Sequence, residues 1–463
     1  MSGIDLRAFT PELLERYDRP GPRYTSYPTA PHFTPEFGEA AYREALARAA
    51  RRTDEPLSLY VHVPFCEHRC TYCGCNVVIA PHRGPEEAYL NAVEAELDLL
   101  AEALGDRRTL NQLHWGGGTP TYLTPSQCRR LHRAIVSRFP LAPGAEAAIE
   151  VDPCVTSPEH VEALAALGFN RISLGLQDLD PRVQEAVERV QPMALTRGLV
   201  TSARRLGFAS VNVDLIYGLP YQTEAGFRET VRRVIGELEP DRVACFSYAH
   251  VPWIKPHQRR LEGMPMPRGF GKFRIFLAAA DEFLRAGYRF VGFDHFARPG
   301  DPLAEALDSG GIHRNFMGYT VMPATDQIGV GVTAIGDVGG AYAANLRNLA
   351  RYERAVAEGR LPVERGIVRT EEDELRGAVI RRIICTLRVE WDWVRERFGV
   401  EPLERFAGAL EALEPMAADG LVEIRPAGLA VTPTGRFFLR NLCMPFDARL
   451  APPGDRPLYS RTV

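Results

Sequence analysis

Six short apolar segments recur between residues 57 and 249, and segments with a helical spacing of apolar residues separate them. The apolar segments have the length and composition of buried strands. Strands that alternate with helices form parallel sheets with right-handed crossovers. We therefore predict an α/β fold built on a partial parallel (β/α)6 barrel, with strands at LSLYVHVPF (57–65), QLHWGGG (112–118), AAIEVDP (147–153), RISLGLQ (171–177), SVNVDLIYG (210–218) and RVACFSYA (242–249).

Polar residues and glycines interrupt these apolar strands near their carboxyl ends. Glu150 and Asp214 lie late in their strands, Gln177 ends its strand, and Gly116, Gly117 and Gly118 close another. In a parallel barrel the carboxyl ends of all strands share one face, and that face carries the active site. Such residues can also cap helices or tether loops. Because several fall on one rim, the sequence predicts a pocket there.

The rest of the chain is predicted to surround this barrel. We interpret residues 1–50 as an arm over the active site, 51–300 as the barrel domain, and 301–369 as long loops and a connecting segment, because this stretch is rich in Gly, Asp and Pro. Residues 370–463 form a smaller, mostly helical lid domain. A hairpin predicted in LVEIRPAGLAVTPTG (421–435) makes this domain similar to a winged helix.

The composition indicates a cytoplasmic enzyme. The 55 Lys and Arg residues against 59 Asp and Glu residues give a net charge of −4, so no global basic field favours nucleic acid. No apolar run is long enough to span a membrane, and the amino terminus lacks the apolar core of a signal peptide. Nine cysteines, an odd count, argue against a secreted disulfide framework.

Three cysteines in VPFCEHRCTYCGCN (63–76) supply the candidate chemistry. Cys66, Cys70 and Cys73 have C-x3-C-x2-C spacing, and three thiolates leave one iron of a four-iron, four-sulfur cube open to another ligand. A structural zinc site would need four ligands. Cys75 could be the fourth, although its closeness to Cys73 would crowd a tetrahedron. The triad is similar to that of radical S-adenosylmethionine (radical SAM) enzymes, in which the open iron binds the cosubstrate.

The strand-end residues suit that cosubstrate. Glycines allow the backbone to approach its amino acid part, since no Cβ intervenes. Glu150 can accept hydrogen bonds from ribose hydroxyls, and Asp214 can do the same or face the sulfonium. Tyr60 could pack near the cofactor, although a strand tyrosine commonly belongs to the core.

The order of motifs resembles the oxygen-independent coproporphyrinogen III oxidase family over nearly the whole chain. Its amino-terminal segment, its cluster loop including Cys75, and its carboxy-terminal signature are all present. The matching segments are RYTSYPTA (23–30), LYVHVPFCEHRCTYCGCN (59–76), WGGGTPT (115–121), IEVDP (149–153), SLGLQDLD (173–180), VDLIYGLPYQT (213–223), YAHVPW (248–253), DHFARP (294–299), HRNF (313–316) and TPTGRFFLRNLCMPFD (432–447).

The resemblance implies a role for each matched residue. Cys66, Cys70 and Cys73 would bind the [4Fe-4S] cluster, whereas Cys75 would not. Two S-adenosylmethionine molecules would bind, which distinguishes this family. The first would lie near Tyr60, Gly117, Glu150 and Ile335, and the second near Tyr72, Gly118, Thr119, Gln177, Arg189, Asp214 and Ala249. Tyr60, Glu150 and Asp214 are the residues expected closest to the chemistry.

The reaction implied is oxidative decarboxylation of two propionates of coproporphyrinogen III to vinyl groups through a 5′-deoxyadenosyl radical. A one-electron donor such as flavodoxin or ferredoxin would act with a monomeric enzyme that binds neither nucleic acid nor membrane. Cationic side chains should meet the four substrate propionates. The candidates near the predicted mouth are Arg23, Arg298, His313 and Arg314, each of which could equally tether a loop.

Two departures from the family pattern keep alternatives open. Met317 replaces a glutamine in HRNFMGYTV, and GVTAIGDVGG replaces a sequence close to GVSAIS. Methionine is only a weak acceptor, so a polar contact of the glutamine would be missing here. The alternatives are a related radical SAM methyltransferase or cyclopropane-forming enzyme, and a haem chaperone on the same scaffold. Cys75 and the RYTSYPTA arm argue against the chaperone.

Overall fold

The structure is a computed structural model that describes residues 6–322, 326–450 and 458–462. These residues form nineteen strands and sixteen α-helices, given in chain order. The strands are β1 (Leu57–Val63), β2 (Phe65–Cys66), β3 (Val78–Ile79), β4 (Leu110–Gly117), β5 (Leu141–Val151), β6 (Arg171–Gln177), β7 (Ser210–Tyr217), β8 (Arg242–Ser247), β9 (Arg289–Gly292), β10 (His295–Ala297), β11 (His313–Asn315), β12 (Gly318–Thr320), β13 (Asp326–Val330), β14 (Ile335–Val338), β15 (Ala341–Asn345), β16 (Val363–Val368), β17 (Arg388–Glu390), β18 (Val422–Arg425) and β19 (Gly428–Val431).

The helices lie mostly between strands of the barrel and in the carboxy-terminal part. They are α1 (Pro11–Tyr17), α2 (Glu39–Ala50), α3 (Pro85–Leu104), α4 (Pro125–Val136), α5 (Pro158–Ala166), α6 (Pro181–Ala186), α7 (Met193–Arg205), α8 (Glu224–Arg233), α9 (Gly269–Arg285), α10 (Pro302–Ser309), α11 (Leu349–Ala357), α12 (Glu371–Cys385), α13 (Trp391–Phe398), α14 (Pro402–Arg405), α15 (Ala407–Ala418) and α16 (Leu439–Cys443). No helix in the described part of the chain combines the length and the apolar character needed to cross a membrane.

The six predicted strands are confirmed as parallel neighbours in the order β1-β4-β5-β6-β7-β8. Helices α3 to α8 connect them and cover the outer face. The burial pattern along β6 explains the orientation, because Ile172, Leu174 and Leu176 are buried against the helices while Ser173 and Gln177 on the other face are only half-buried. The polar face of each strand therefore points into the barrel.

The sheet extends beyond the predicted strands on both sides. Its twelve strands follow the order β16-β15-β14-β13-β1-β4-β5-β6-β7-β8-β10-β9, so it remains open. Strand β13 pairs parallel with β1, and β14, β15 and β16 follow antiparallel. The prediction of long loops over 301–369 is wrong for these four strands, because their short segments, with several small residues, carry little periodic signal.

A buried carboxylate joins this extension to the barrel. Glu96 of α3 accepts hydrogen bonds from the Gly331 amide at 2.8 Å, the Asn345 side chain at 2.6 Å and the Tyr352 hydroxyl at 2.5 Å. These donors belong to the segments after β13, in β15 and in α11. A buried carboxylate with several donors links elements strongly, since losing it would leave each donor unsatisfied.

The carboxy-terminal part contains the predicted hairpin. Strands β18 and β19 pair antiparallel, and β17 adds a third strand next to β19. Buried Arg440 of α16 holds the arm against this part, because its guanidinium donates to the carbonyls of Pro22 and Gly21 and to that of Ser460. Residues 1–5 of the predicted arm, and 451–457 and 463 of the predicted lid, lie outside the described residues.

Candidate active site

A cavity of about 490 Å³ opens at the carboxyl ends of the barrel strands, where the sequence predicts the site. The loop after β1 supplies all four clustered cysteines to its wall, and β4 to β8 supply their end residues. The cavity brings together most of the predicted site residues, namely Cys66, Cys70, Tyr72, Cys73, Gly117, Gly118, Thr119, Glu150, Gln177, Arg189, Asp214 and Ala249.

Side chains from another segment hold the cysteine loop in place through contacts with its backbone carbonyls. Lys255 donates from Nζ to the Cys75 carbonyl at 3.0 Å, Gln258 donates from Nε2 to the Tyr72 carbonyl at 3.0 Å, and His257 Nε2 lies 2.8 Å from the Cys73 carbonyl oxygen. These three residues lie in the segment after β8, so the loop is anchored across the cavity mouth.

The thiols of this loop differ in environment. Cys70 is buried, Cys66 and Cys73 are half-buried, and Cys75 is exposed. Burial raises the pKa of Cys66 to about 11. The hydrogen bond with Cys75 lowers the pKa of Cys73, against the effect of burial, and raises the pKa of Cys75. Cys73 is therefore the thiol of this pair that ionises first.

The donor set fits an iron-sulfur cube. Among the described residues, no three His, Cys, Asp or Glu side chains converge closely enough to hold a single metal ion. A cube needs each thiolate on a different iron, and thiolates distributed along one cavity wall meet that requirement. Cys66, Cys70 and Cys73 could bind three irons, which would leave the fourth open toward the cavity.

Glycines at the end of β4 allow the cysteine loop to pack closely against the barrel. A Cβ on Gly118 would lie 2.6 Å from the Pro64 carbonyl oxygen, which is backbone and cannot move aside. Gly117 has a φ of +115°, and a Cβ there would lie 2.7 Å from the His62 ring. Only glycine satisfies both positions. The Gly118 amide donates to the Val63 carbonyl at 2.8 Å and aligns the strand end with the loop.

Glu150 projects into the cavity from β5. His114 Nε2 lies 3.1 Å from Glu150 Oε1, and the Gly117 amide donates to Oε2 at 3.3 Å. Burial is the largest single influence and would raise the pKa of Glu150, but the hydrogen bond and electrostatic effect of His114, together with the Gly117 amide, outweigh it and lower this pKa. The side chain is 46% exposed, so an ionised carboxylate faces the cavity with acceptor capacity left.

Asp214 lies deeper, on β7. The Asn212 side chain donates to Oδ1 at 2.7 Å, and the Ser173 hydroxyl donates to Oδ2 at 3.1 Å. Burial, assisted by the negative charge of Glu150, raises the pKa of Asp214 to about 7. This carboxyl therefore changes charge near neutral pH. The supporting Ser173 and Asn212 were not predicted, although their two-residue spacing from Gly175 and Asp214 places them on the same strand faces.

Arg189 links the cysteine loop to the strand ends. It forms an ion pair with Asp152 at 2.8 Å, donates from Nη2 to the Gly175 carbonyl at 2.9 Å, and places Nη1 3.7 Å from Cys70 Sγ. Asp152 was missed as a site residue, although it lies two positions after Glu150 in the same strand-end motif. Arg189 Nε and Gln177 Oε1 are buried without a hydrogen-bond partner among the described residues. Unsatisfied polar atoms beside a cavity indicate a polar ligand.

Two predicted residues lie outside the cavity wall. The Tyr60 ring stacks on His114 with 5.9 Å between ring centroids, and its hydroxyl lies 3.1 Å from His62 Nδ1. Tyr60 thus supports the residue that holds Glu150. Ile335 lies on β14 and packs with Phe33 and Tyr342.

Three of the four candidate cations lie close together in the structure. Arg23 lines the cavity, lies 3.5 Å from the Ser247 carbonyl oxygen, and pairs with Asp294 at 3.7 Å. Arg314 donates to the carbonyls of Arg23 and Tyr24, and exposed His313 lies beside it on β11.

The expectation for Arg298 is wrong. Its amide donates to the Asp241 carbonyl, just before β8, and its side chain donates to the Glu239 carbonyl at 3.1 Å. Because β10 runs antiparallel to β8, the residue that follows β10 returns to the amino-terminal end of the barrel. Arg298 therefore lies away from the mouth.

Met317 occupies the turn between β11 and β12. Its amide donates to the Asn315 side chain at 2.9 Å, and its side chain is half-buried. In the described part of the chain, Met317 lines neither of the two large cavities. The departure from the family glutamine thus lies on the hairpin and not in a cavity wall.

Comparison with known proteins agrees with this architecture. Residues 60–234 match the radical SAM superfamily, and residues 370–438 match the HemN C-terminal domain. The oxygen-independent coproporphyrinogen III oxidase of Salmonella typhimurium is 43% identical over 97% of this chain and 98% of its own length. The enzyme of the same name from Synechocystis is 40% identical over 98% of each chain. The solved structure of coproporphyrinogen III oxidase (HemN) from Escherichia coli, described as a radical SAM enzyme, superposes with a TM-score of 0.90, at 41% identity over 97% of this chain and all of that one.

Proposed function

The chain belongs to the oxygen-independent coproporphyrinogen III oxidase family, and we propose that it converts coproporphyrinogen III to protoporphyrinogen IX by oxidative decarboxylation of two propionates. As a radical SAM enzyme it uses a [4Fe-4S] cluster and S-adenosylmethionine. The observation that carries the proposal is the single cavity that gathers the cysteine loop with Glu150 and Asp214 in a chain that matches these relatives from end to end.

Cys66, Cys70 and Cys73 are proposed to hold the cluster, with Cys75 as a hydrogen-bonding neighbour of Cys73. When bound, the cluster and S-adenosylmethionine supply an organic radical that removes a hydrogen atom from a propionate β-carbon. Each propionate then releases carbon dioxide and passes one electron to an acceptor, which leaves a vinyl group. The residues of the chain position the reactants and keep water from the radical.

We propose that the two S-adenosylmethionine molecules contact different parts of the cavity wall. The first lies near Gly117 and Glu150, with Tyr60 and Ile335 further out. The second lies near Gln177, Arg189 and Asp214. Support comes from the unsatisfied Gln177 Oε1 and Arg189 Nε, which offer one acceptor and one donor to a polar ligand. The other residues of this second group are Tyr72, Gly118, Thr119 and Ala249.

Binding of S-adenosylmethionine should depend on pH through Asp214. The ionised form of Asp214 can accept hydrogen bonds from ribose hydroxyls or face the sulfonium. Because its pKa is about 7, half of the Asp214 carboxyl groups are protonated at neutral pH. Affinity should therefore rise about tenfold between pH 6 and pH 8. Glu150 remains ionised across this range because its pKa is lowered.

Calorimetric titration of the reconstituted protein at several pH values would measure this dependence. Asp214→Asn should bind with an affinity that is flat between pH 6 and pH 8. If the variant kept the full pH dependence of the wild type, the dependence would belong to another group.

The function is tested by product analysis under anaerobic conditions. The wild type, incubated with coproporphyrinogen III, S-adenosylmethionine and a chemical reductant, should form protoporphyrinogen IX and 5′-deoxyadenosine. Abundant 5′-deoxyadenosine without any change in the porphyrin would instead indicate a related radical SAM reaction. Neither product would favour a haem chaperone.

The substitution Met317→Gln tests the hairpin departure in the same assay. Vinyl formation should be preserved or raised, because the variant restores the polar side chain of the family pattern. The rate of protoporphyrinogen formation is the measurement, and 5′-deoxyadenosine yield serves as the control for radical generation. A loss of vinyl formation would contradict this expectation and would mean that the hairpin of this chain requires methionine at position 317.

The remaining properties are proposed on family and composition grounds. A flavodoxin or ferredoxin donates the electrons, and the enzyme works as a monomer in the cytoplasm without nucleic acid or membrane partners. The net charge of −4 supports the absence of a general attraction to nucleic acid.

A further inference from the structure

A second, larger cavity lies apart from the cysteine loop. Its volume is about 840 Å³, and Ser58, Asp326 and Gln327 at the amino-terminal ends of β1 and β13 line part of it. The arm residues 24–27, the β11–β12 hairpin and α12 complete its wall. A volume of this size lies in the range of sites for cofactors and other large small molecules.

The lining of this second cavity is strongly cationic. Seven arginines and three carboxylates line it, in a chain whose net charge is −4. Arg52, Arg369 and Arg382 are paired with carboxylates. The other four arginines, Arg48, Arg314, Arg381 and Arg397, form no ion pair with a carboxylate among the described residues, although Arg48 and Arg314 donate to backbone carbonyls. Guanidinium groups without an ion-pair partner around a cavity favour carboxylate or phosphate ligands.

The same cavity is also apolar and contains unsatisfied polar atoms. Phe316, Tyr342 and Trp393 contribute aromatic rings, and Ile380 and Ile384 contribute aliphatic surface. Ser26 Oγ and Gln327 Oε1, both in its lining, are buried without a hydrogen-bond partner in the described chain. A ligand that suits this lining combines a flat apolar body with several anionic groups.

The two cavities adjoin at the arm. Arg23 lines the cavity of the cysteine loop, and the next residue, Tyr24, lines the second cavity with a left-handed φ of 49°. Arg314 donates to the carbonyls of both residues and itself lines the second cavity. Consecutive residues of the arm therefore contribute to the walls of the two cavities.

We propose that the second cavity binds the tetrapyrrole through its carboxylates, so that the propionates meet arginines that have no carboxylate partner in the described part of the chain. The inference rests on the proposed function for the identity of the tetrapyrrole. The propionates of a mostly apolar macrocycle suit arginines without carboxylate partners around an aromatic lining. Arg381 of α12 and Arg397 of α13 are exposed, so they can be changed without disturbing the core.

Fluorescence titration with coproporphyrin III, the unreactive oxidised form of the macrocycle, tests this proposal without turnover. The double substitution Arg381→Gln with Arg397→Gln should raise the dissociation constant about tenfold or more, since two charge-assisted contacts are lost. Arg133→Gln, on the exposed face of α4 outside both cavities, is the matched control and should bind like the wild type. Thermal melting of the wild type and both variants checks that each is folded.

Two further ligands identify what the cavity recognises. The tetramethyl ester of coproporphyrin III, which lacks the negative charges, should bind much more weakly than the free acid. Inorganic phosphate should not displace coproporphyrin III at similar concentration. Equal binding by the double variant and the wild type would overturn the proposal, as would equal binding of the ester. Displacement by phosphate would identify a general anion site instead. Because binding is measured without reaction, a failure here is separate from a failure to form vinyl groups.

Discussion

The substitution Cys70→Ser should abolish both the iron-sulfur cluster and the cleavage of S-adenosylmethionine. Cys70 is the buried member of the triad, and Arg189 Nη1 lies 3.7 Å from its sulfur. Serine is a poor ligand for iron in such clusters, because its hydroxyl is hard and has a high pKa. Iron and acid-labile sulfide in the reconstituted variant should fall to a small fraction of the wild-type values, and 5′-deoxyadenosine formation should be undetectable.

The matched control is Cys75→Ser in the same loop. Cys75 is exposed and lowers the pKa of Cys73 through their hydrogen bond, a contact that a serine hydroxyl can still make. This variant should keep its iron, its sulfide and the visible spectrum of the cluster. Equal loss of the cluster in both variants would contradict the assignment of three ligands and would return Cys75 to the ligand set.

The second large effect is expected at Glu150. Glu150→Ala should weaken S-adenosylmethionine binding by about 1.5–3 kcal/mol, the scale of hydrogen bonds to a charged group. That loss corresponds to about a 10- to 150-fold higher dissociation constant. The cluster should remain, because Glu150 lies on β5 and holds His114 and the Gly117 amide, not the cysteine loop.

Calorimetry on the reconstituted variant, with iron analysis beside it, separates these effects. Glu150→Gln keeps an acceptor but loses the charge, so its affinity should fall between those of the wild type and the alanine variant. Glu162→Ala, an exposed carboxylate on α5, should bind like the wild type. Unchanged affinity in Glu150→Ala would mean that Glu150 serves only to orient His114 and the end of β4.

The barrel could be predicted from sequence because its signals are local. The six parallel strands are short apolar segments next to strongly periodic helices such as α3. The site followed from the same patterns, since polar residues at the carboxyl ends of parallel strands meet at one face. Glu150, Gln177, Asp214 and the cysteine loop do line one cavity.

The parts that escaped prediction depend on contacts between distant segments. Strand β13 is a strand because it pairs with β1, which lies more than 260 residues earlier in the chain, and its five residues alone do not reveal that pairing. Arg298 was placed at the mouth from a motif, whereas the antiparallel direction of β10 decides its true position. The ion pair of Asp152 with Arg189 likewise joins two loops that no local pattern relates.

The anchoring of the cysteine loop bears on how the cluster is loaded. Its carbonyls at Tyr72, Cys73 and Cys75 have side-chain partners in the segment after β8. In many small metal-binding domains the metal must order the chain, so metal binding and folding are one event. Here three side chains of the barrel domain contact the loop backbone in addition to any order that a cluster would impose, so folding of the loop and binding of the cluster are expected to be separable events. An iron-free chain should therefore remain a competent acceptor for a preassembled cluster.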